Sequence, residues 1–357
     1  MKSVGILTIN DYNNYGNRLQ NYAVQEAIRH CGCKAETIQN KKGYYNGNHK
    51  DLLKNNIKNF IKKYSNKPNH KRSSSFLEFN KNIDMSSIMI DLKHIDMMLS
   101  KKYDYFITGS DQVWNPKFER LTDIDLLSFA NDNQKISFSA SFGISALPED
   151  KKEYTKQNLQ TFKAISVREN AGKKIVEELT DRTDVEVLVD PTMLLSAEEW
   201  DKISKKPKHL KNNKYILNYF LGELPESWRK EINRVAKENN CEVINILNPN
   251  DPFYQTGPSE FLYLEKNAFL VCTDSFHSSV FSIIYDTPFI IFERQDKLVS
   301  MNSRIDTLLS KFNLQNRRFN EKITEDLLRC NYKDAKRILE KEKEKSFNFL
   351  RRALDIK

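Results

Sequence analysis

Segments of strand length alternate with segments of helical periodicity along most of this chain, and that alternation limits the fold more than any other feature. Val4 to Ile9 is an apolar run of strand length. A helical pattern follows, with Leu19 and Ala23 on one face, and Lys34 to Ile38 is typical of a second strand. A strand, a crossover helix and another strand form the βαβ unit of a parallel sheet. The sequence therefore predicts an α/β fold.

The alternation runs in two series. Further strands are predicted at 104–108, 135–142, 164–167 and 185–189, and then at 215–221, 242–247, 268–273 and 288–292. Helices are predicted between them at 92–101, 150–163, 169–180, 225–239, 258–266 and 274–285. A charged, proline-containing stretch at 201–213 separates the two series, which favours two Rossmann-like domains that face a cleft. We expect an N-terminal domain at 1–205, a C-terminal domain at 206–320 and a helical tail at 321–357, in which a long charged helix braces the first domain.

Composition argues against several classes of protein. No apolar run approaches the roughly 18 residues that span a bilayer, and the first apolar run is too short for a secretory signal, so we expect a cytoplasmic protein. The five cysteines include no CxxC pair, which argues against a disulfide scaffold or a zinc site, and no metal is expected. The net charge of +9 favours anionic substrates or an anionic membrane surface. No pattern typical of nucleic-acid binding is present.

Residues 40–75 form an insertion rich in Asn and Lys. Within it, apolar residues recur at helical spacing at Leu53, Ile57, Phe60, Ile61 and Tyr64. We interpret the insertion as carrying a basic amphipathic helix that acts as a lid or faces a membrane. A solvated surface helix is the alternative.

Polar residues follow several predicted strands at their carboxyl ends, where ligands bind in open parallel sheets. These residues are Asn13, Tyr15, Asn17, Asp111, Gln112, Trp114, Arg168, Asp274, Ser275 and His277. The glycine-rich loops GxGxxG and GxxxxGK[ST] are missing, so the usual phosphate loops of dehydrogenases and P-loop enzymes are not present.

His277 and Arg168 are the main candidates for chemistry. A histidine titrates near neutral pH, and the helix that starts beside His277 offers N–H groups to an anion. Core packing is the alternative, since Val280 shares its helical face. An arginine at a strand end can hold a carboxylate or a phosphate through two hydrogen bonds, and a salt bridge between domains is the alternative for Arg168.

Seven segments occur in an order that resembles the polysaccharide pyruvyl transferase family of bacterial surface-glycan synthesis. They are NDYNNYGNRLQNYAVQ (10–25), DYFITGSDQVWNP (104–116), SFSASFG (137–143), ISVREN (165–170), VDPTMLL (189–195), TDSFHSSVFSIIYDTPFI (273–290) and NSRIDTLL (302–309). The resemblance implies a GT-B-like architecture. It also implies transfer of a pyruvyl group from phosphoenolpyruvate, the co-substrate, onto two hydroxyls of a saccharide, with a ketal and free phosphate as products. The setting it implies is capsular or exopolysaccharide biosynthesis, with no other cofactor.

The resemblance also assigns roles to residues. Arg168 matches a donor-binding arginine, and His277 matches the histidine of the donor motif, for which we expect the role of general acid. Ser275 stands where some members carry arginine, so Arg304 or Arg294 is expected to supply the cation. Ser278 stands where relatives often carry glycine, and its hydroxyl can still bind phosphate.

Asp111 is expected to deprotonate or orient the attacking hydroxyl of the acceptor. The acceptor itself is expected to be held by Asn13, Tyr15, Asn17, Gln112 and Trp114. We expect a saccharide acceptor that is lipid-linked, with peripheral contact to the inner membrane face through the basic residues 54–72.

Two other functions stay open at this point. One is a GT-B-type glycosyltransferase in which His277 positions the diphosphate of a nucleotide sugar. The other is a non-catalytic scaffold in glycan assembly, which the replacement at Ser275 suggests.

Overall fold

The computed structural model describes residues 1–9, 13–40, 68–93, 95–295 and 302–356, and in its first half the strands form one parallel sheet. The seven strands are β1 (Ser3–Leu7), β2 (Lys34–Asn40), β3 (Met85–Ile90), β4 (Tyr105–Thr108), β5 (Lys135–Ala140), β6 (Ala164–Val167) and β7 (Glu186–Val187). The helices of this half are α1 (Tyr15–His30), α2 (Pro68–Phe79), α3 (Glu149–Leu159) and α4 (Asn170–Thr180). The spatial order is β3-β2-β1-β4-β5-β6-β7. It reverses between β1 and β4, so the carboxyl ends of these two strands form a ligand-binding crevice.

A second parallel sheet repeats this principle on a smaller scale. Its strands are β8 (Tyr215–Tyr219), β9 (Glu242–Asn245), β10 (Leu270–Thr273) and β11 (Phe289–Ile291), in the order β11-β10-β8-β9. The helices that precede, connect or follow these strands are α5 (Ala197–Asp201), α6 (Glu226–Glu238), α7 (Pro258–Asn267), α8 (Phe276–Tyr285), α9 (Asn302–Lys311) and α10 (Lys333–Ala353). The order reverses between β8 and β10, and α8 starts directly after β10 at this point. The predicted architecture of two Rossmann-like halves is confirmed.

An apolar contact joins the two halves beneath the crevices. Tyr15, the first residue of α1, stacks on Phe261 of α7 with ring centroids 4.6 Å apart and meets Tyr219 of β8 edge-on. The Tyr15 hydroxyl donates to the carbonyl of Thr256 at 3.0 Å and accepts from Arg72 at 2.6 Å. Because the contact is buried and largely apolar, it holds the halves in one relative orientation.

The last helix returns to the first domain. Phe349 of α10 stacks on Phe138 of β5, with ring centroids 6.3 Å apart. At the end of the helix, Lys2 Nζ donates to the carbonyl of Leu354 at 2.6 Å, and the Tyr105 hydroxyl donates to Asp355 at 2.7 Å. The predicted bracing helix is therefore confirmed, and it links the chain's last residues to its first strand.

One local prediction was wrong, and one strand was not predicted. Residues 92–101 do not form an α-helix, because only a short 3₁₀ turn at Met97–Lys101 is present there, with Leu99 as its buried residue and with Met97 and Met98 exposed. The strand β3 that precedes it was not predicted. It is an edge strand with a mixed burial pattern, so its apolar residues do not alternate cleanly.

Two further predictions, the helix of the 40–75 insertion and the boundary between the domains, are not tested by the described residues. The apolar residues of the predicted helix within the 40–75 insertion fall outside the described residues. The strands of the two sheets lie within 1–205 and 206–320, and the boundary between them stays a prediction. Within the described ranges, no helix combines the length and the apolar character needed to cross a bilayer.

The role of α10 leads to a stability prediction. Phe349→Ala is expected to lower the free energy of unfolding by about 3 to 5 kcal/mol, because a large buried side chain is lost from the contact with the first domain. Glu344→Ala, on the exposed side of the same helix, is expected to change it by less than about 0.5 kcal/mol. Chemical denaturation followed by circular dichroism measures both, and equal effects would contradict the bracing role.

Candidate active site

A cavity of about 440 Å³ opens where the carboxyl ends of the two sheets face each other. From the first domain it is lined by Ile9, Asn14, Asn17, Asp111, Gln112, Phe118 and Arg120, and from the second by Leu221, Ser275, Phe276, His277, Arg294 and Arg304. A larger cavity of about 640 Å³ lies between α2 and residues 202–209, and among the described residues it is lined by none of those predicted to bind or react. The chemistry of the lining, rather than the volume, identifies the smaller cavity as the candidate active site. We call it the reaction cavity.

A buried arginine joins three strand ends behind the wall of the reaction cavity. Arg168, after β6, donates to Asp190 Oδ2 at 2.5 Å and to Asp111 Oδ1 at 3.0 Å. Its side chain is 1% exposed, and its guanidinium lies 4.4 Å from the centre of the Phe276 ring. Asp190 also accepts from the hydroxyls of Ser110 and Thr192 at 3.0 and 2.7 Å. Arg168 therefore pairs with both buried carboxylates and fixes their positions, and the group of three side chains keeps one net negative charge.

His277 brings the second domain to this ion-pair group. Its Nε2 lies 3.6 Å from Asp190 Oδ2, and its ring forms part of the cavity wall. Gly16 on α1 lies against the other side of the ring, where a Cβ atom would be only 2.1 Å from Nδ1. The ring thus lies between α1 and Asp190, which both belong to the first domain, and a side chain at position 16 would displace it.

The charges of the site are strongly coupled. Burial alone would raise the pKa of Asp111, but Arg168, His277 and Arg304 outweigh that effect and lower it. Burial is likewise outweighed at Asp190, whose pKa is lowered by His277 and Arg168. Both carboxylates are therefore ionised at neutral pH, which suits Asp111 to accept a hydrogen bond and not to donate a proton.

The surroundings of Arg304 disfavour its charged form, whereas those of Asp111 and Asp190 favour theirs. Its Nη1 lies 3.6 Å from Asp111 Oδ1, but burial and the nearby charge of Arg168 lower its pKa to about 10. The charged guanidinium is thus less stable here than in water. An anion in the reaction cavity would offset this cost, as would any further negative charge at this wall.

The start of α8 faces the same cavity. Ser275 is its N-cap residue, and in the described structure its hydroxyl does not cap the helix. Asp274 instead accepts from the backbone N–H groups of Leu221 and Gly222, both at 2.7 Å, and so fixes the turn after β8. The first N–H groups of α8 and its dipole add positive potential beside His277.

Several predicted residues meet in the reaction cavity. The Asn17 amide donates a short hydrogen bond to Asp111, and Gln112 lines the wall beside it. Asp111, Ser275, His277 and Arg304 line the cavity as well, whereas Arg168 stands behind Asp111. Asn13 is exposed, and its carbonyl accepts from Arg72. Their roles in binding and catalysis stay predictions.

Two residues predicted to bind the acceptor belong to the core. Trp114 is fully buried, its indole donates to the carbonyl of Asp125 at 3.1 Å, and it packs on Phe142 and Phe162. Tyr15 is equally buried in the contact between domains. Neither ring can reach a sugar in the reaction cavity, because each is enclosed by other side chains.

Ser278 is also turned away from the reaction cavity. Its hydroxyl donates to Glu265 of α7 at 2.5 Å, and Ser282 donates to the other oxygen of the same carboxyl at 3.4 Å. Burial raises the pKa of Glu265 to about 8. Ser278 therefore ties α8 to α7 and does not bind a phosphate in this arrangement.

Sequence reasoning missed Asp190, which lies behind the cavity wall with Arg168, and three residues that line the reaction cavity. Asp190, Phe276, Phe118 and Arg120 were not singled out, although Asp190 follows a predicted strand and so carried the same positional signal as Arg168. Phe118 is 42% exposed at the cavity wall, whereas Phe276, the other aromatic residue among the described lining residues, is buried. Among the described residues, no group of three or more His, Cys, Asp or Glu side chains could hold a metal ion.

Comparison with solved structures concerns the fold alone. A putative UDP-N-acetylglucosamine 2-epimerase from Listeria monocytogenes is similar over 98% of this chain and 90% of its own, with a TM-score of 0.50 and 10% identity. A UDP-GlcNAc 2-epimerase from Methanocaldococcus jannaschii, with a TM-score of 0.47 and 13% identity, covers 95% of this chain and 99% of its own. MurG from Acinetobacter baumannii, with a TM-score of 0.44 and 11% identity, covers 99% of both. The fold is GT-B-like, as predicted.

The family follows from the sequence itself. The pattern that defines the polysaccharide pyruvyl transferases matches residues 14–296, which include Arg168, Asp190 and His277. This chain belongs to the polysaccharide pyruvyl transferase family and is a transferase. A comparison with curated protein sequences gives no significant match.

The wedge between α1 and His277 can be tested. Gly16→Ala is expected to lower the free energy of unfolding by about 1 to 3 kcal/mol, because the added Cβ overpacks the contact. It is also expected to shift the imidazole resonances of His277 in a ¹H–¹⁵N spectrum, assigned with His277→Gln. Gly32→Ala is the control, since its Cβ would meet no atom within 4 Å while its positive φ still makes alanine cost about 1 kcal/mol. His277 resonances that stay in place in Gly16→Ala would contradict the wedge.

Glu265 gives a prediction about pH. Its folded pKa of about 8 lies above the value near 4.3 expected when unfolded, so the folded state holds the proton more tightly. Its contribution to stability is complete below pH 4 and is lost as the pH rises to about 8. Glu265→Gln cannot titrate, so the thermal midpoint of wild type is expected to fall by several degrees relative to this variant between pH 5 and 8.

Glu344→Gln is the matched control, because Glu344 is exposed on α10. Its thermal midpoint is expected to follow that of wild type across the same pH range. A constant difference between wild type and Glu265→Gln would contradict the protonated, buried carboxyl.

Proposed function

We propose that this chain transfers the pyruvyl group of phosphoenolpyruvate onto two hydroxyls of a saccharide during capsular or exopolysaccharide repeat-unit biosynthesis. Membership of the family supports polysaccharide pyruvyl transfer in general. The main support for this choice of donor is the positively charged wall of the reaction cavity. Arg304, Arg294 and the start of α8 face one side of it, and Arg168 offsets part of the negative charge of the two carboxylates nearby.

Phosphoenolpyruvate fits this wall because it is a small trianion. A carboxylate and a phosphate each require a cationic or N–H-rich partner. In our proposal Arg304 and Arg294 bind one of the two anionic groups, and the first N–H groups of α8 bind the other. Arg304 thereby supplies the cation that Ser275 lacks, and the lowered pKa of Arg304 is consistent with a wall that gains from an anion.

The reaction needs a proton donor beside the vinyl carbon. Attack by the first sugar hydroxyl at C2 of the enolpyruvyl group is balanced by addition of a proton to C3. The second hydroxyl then displaces phosphate from C2, which closes the ketal and releases one further proton. His277 is the proposed proton donor, and the ionised Asp111 orients the attacking hydroxyl by accepting its hydrogen bond.

The acceptor side of the reaction cavity is built by the first domain. Asn17 and Gln112 are retained from the sequence prediction, and Phe118 and Arg120 take the place of Tyr15 and Trp114. A lipid-linked acceptor and contact with the inner membrane face stay part of this proposal. The basic residues up to 67 that would make this contact lie outside the described structure.

The donor is tested by a thermal-shift measurement. Phosphoenolpyruvate at about 100 times its dissociation constant is expected to stabilise the protein by about 2.7 kcal/mol, visible as a rise of several degrees. Arg304→Ala is expected to abolish this rise, because the buried cation of the wall is lost. Arg337→Ala, on the exposed face of α10, is the matched control and should keep it.

One further arm separates the proposed donor from the alternative of a nucleotide sugar. A rise with UDP- or GDP-sugars in place of phosphoenolpyruvate would refute the proposed donor and indicate glycosyl transfer. Arg168→Ala is a poor test of the donor, because it leaves two buried carboxylates without their cation and should destabilise the unliganded protein by about 3 to 5 kcal/mol.

A further inference from the structure

A second cavity, of about 550 Å³, lies at the carboxyl ends of β8 and β9. It is lined by Asn218, Phe220, Gly222, Leu224, Arg229, Asn233, Val243, Asn245, Leu247 and Asn248. We call it the amide cavity, because four of its ten lining residues are asparagines. Its volume is within the range of small-molecule sites.

Asn218 is the unusual residue of this cavity. Ile216 of β8 and Phe220, which directly follows β8, belong to a hydrophobic cluster with Ile232 and Val235 of α6, so an apolar residue is expected between them at position 218. Asn218 is 4% exposed, and its Nδ2 donates to Asn245 Oδ1 at 2.9 Å. Among the residues that the structure describes, its Oδ1 has no hydrogen-bond partner, although it is buried and borders the cavity.

A buried amide oxygen without a partner is unfavourable, because it has given up its hydrogen bonds to water and gained none in the protein. A ligand hydroxyl in the amide cavity would remove that cost. Amide groups both donate and accept, and Phe220, Leu224 and Leu247 offer apolar surface between them. This mixture matches the hydroxyls and C–H faces of an uncharged sugar ring, whereas Arg229 is the single charged residue among the lining residues.

The amide cavity adjoins the reaction cavity. Leu221 lines the reaction cavity, and its neighbours Phe220 and Gly222 line the amide cavity. Asp274 accepts hydrogen bonds from Leu221 and Gly222 and so fixes the turn that contains them. Phe276, two residues after Asp274, lines the reaction cavity. Consecutive residues of one backbone turn therefore line the two cavities, which fixes the position of one cavity relative to the other.

The geometry points to the amide cavity as a second saccharide subsite, which holds a neutral sugar unit of the acceptor while another unit of the same glycan reacts in the adjacent cavity. The link to the acceptor rests on the proposed function. Recognition of a sugar by Asn218 does not, since it depends only on the residues of β8, β9 and α6. The chain thus selects an oligosaccharide over a single sugar.

The test uses saturation-transfer NMR on the full chain. The probes are glucose, galactose, mannose, N-acetylglucosamine and their β-linked disaccharides, with uridine and guanosine as nucleoside probes. Binding of at least one saccharide is expected, with disaccharides preferred. Asn218→Ala is expected to weaken that binding about tenfold, because the buried hydrogen bonds are lost.

Further variants keep the test informative if Asn218→Ala folds poorly. Asn233→Ala changes an exposed lining residue on α6 and is expected to weaken binding a few-fold. Asn250→Ala, an exposed asparagine that does not line the amide cavity, is the matched control and should bind like wild type.

The thermal response to phosphoenolpyruvate, measured in parallel, separates the two proposals. Saccharide binding that depends on Asn218 in a protein without that response would refute the donor and leave the subsite standing. A normal response together with saccharide binding that ignores Asn218 and Asn233 would overturn the subsite alone. No binding by any saccharide, or binding of a nucleoside that depends on Asn218, would overturn it as well.

Discussion

The pairing of Arg168 with Asp111 and Asp190 is the interaction on which the rest of the site depends. Three residues that follow three different strands meet there, all buried. Buried charges are costly unless they are paired and hydrogen-bonded, and Asp190 completes its set with Ser110 and Thr192. Because each partner would be unstable alone, the group holds its geometry without help from a ligand. His277 and Arg304 of the second domain are then placed against a fixed negative surface.

The site also requires the two domains to be docked. His277 is held between Asp190 and Gly16, which belong to the first domain, while its own helix is tied to α7 through Ser278 and Glu265. The apolar contact around Tyr15 maintains this arrangement from below. Tyr15 and Ser278 were predicted to bind ligands, but in the structure they support the site indirectly. They fix the relative orientation of the domains and helices that carry the site.

In our two proposals the reaction cavity carries the chemistry and the amide cavity carries the recognition, because their walls differ in chemical character. The reaction cavity has arginines, a helix start and an ionised carboxylate, which suit a charged donor and proton transfer. The amide cavity offers mainly uncharged groups that donate and accept hydrogen bonds. A turn anchored by one buried carboxylate, Asp274, separates them. An acceptor that spans both would be positioned by one end and modified at the other, which is how binding energy remote from the reacting bond can orient it.

Local patterns were sufficient to predict the two parallel sheets, the long C-terminal helix and the gathering of polar strand-end residues near a cleft. These features depend on local periodicity, which each segment carries in its own residues. Which strand-end residues contact one another could not be predicted from local patterns and is seen in the three-dimensional structure. Asp190 reaches Arg168 because β6 and β7 are neighbours in the sheet, and Trp114 and Tyr15 are enclosed because of how later segments pack over them. The amide cavity was equally beyond prediction, since Asn218 and Asn245 are paired by strand register and not by spacing along the chain. Contacts between distant segments depend on sheet order, register and domain docking, none of which is written in a local pattern.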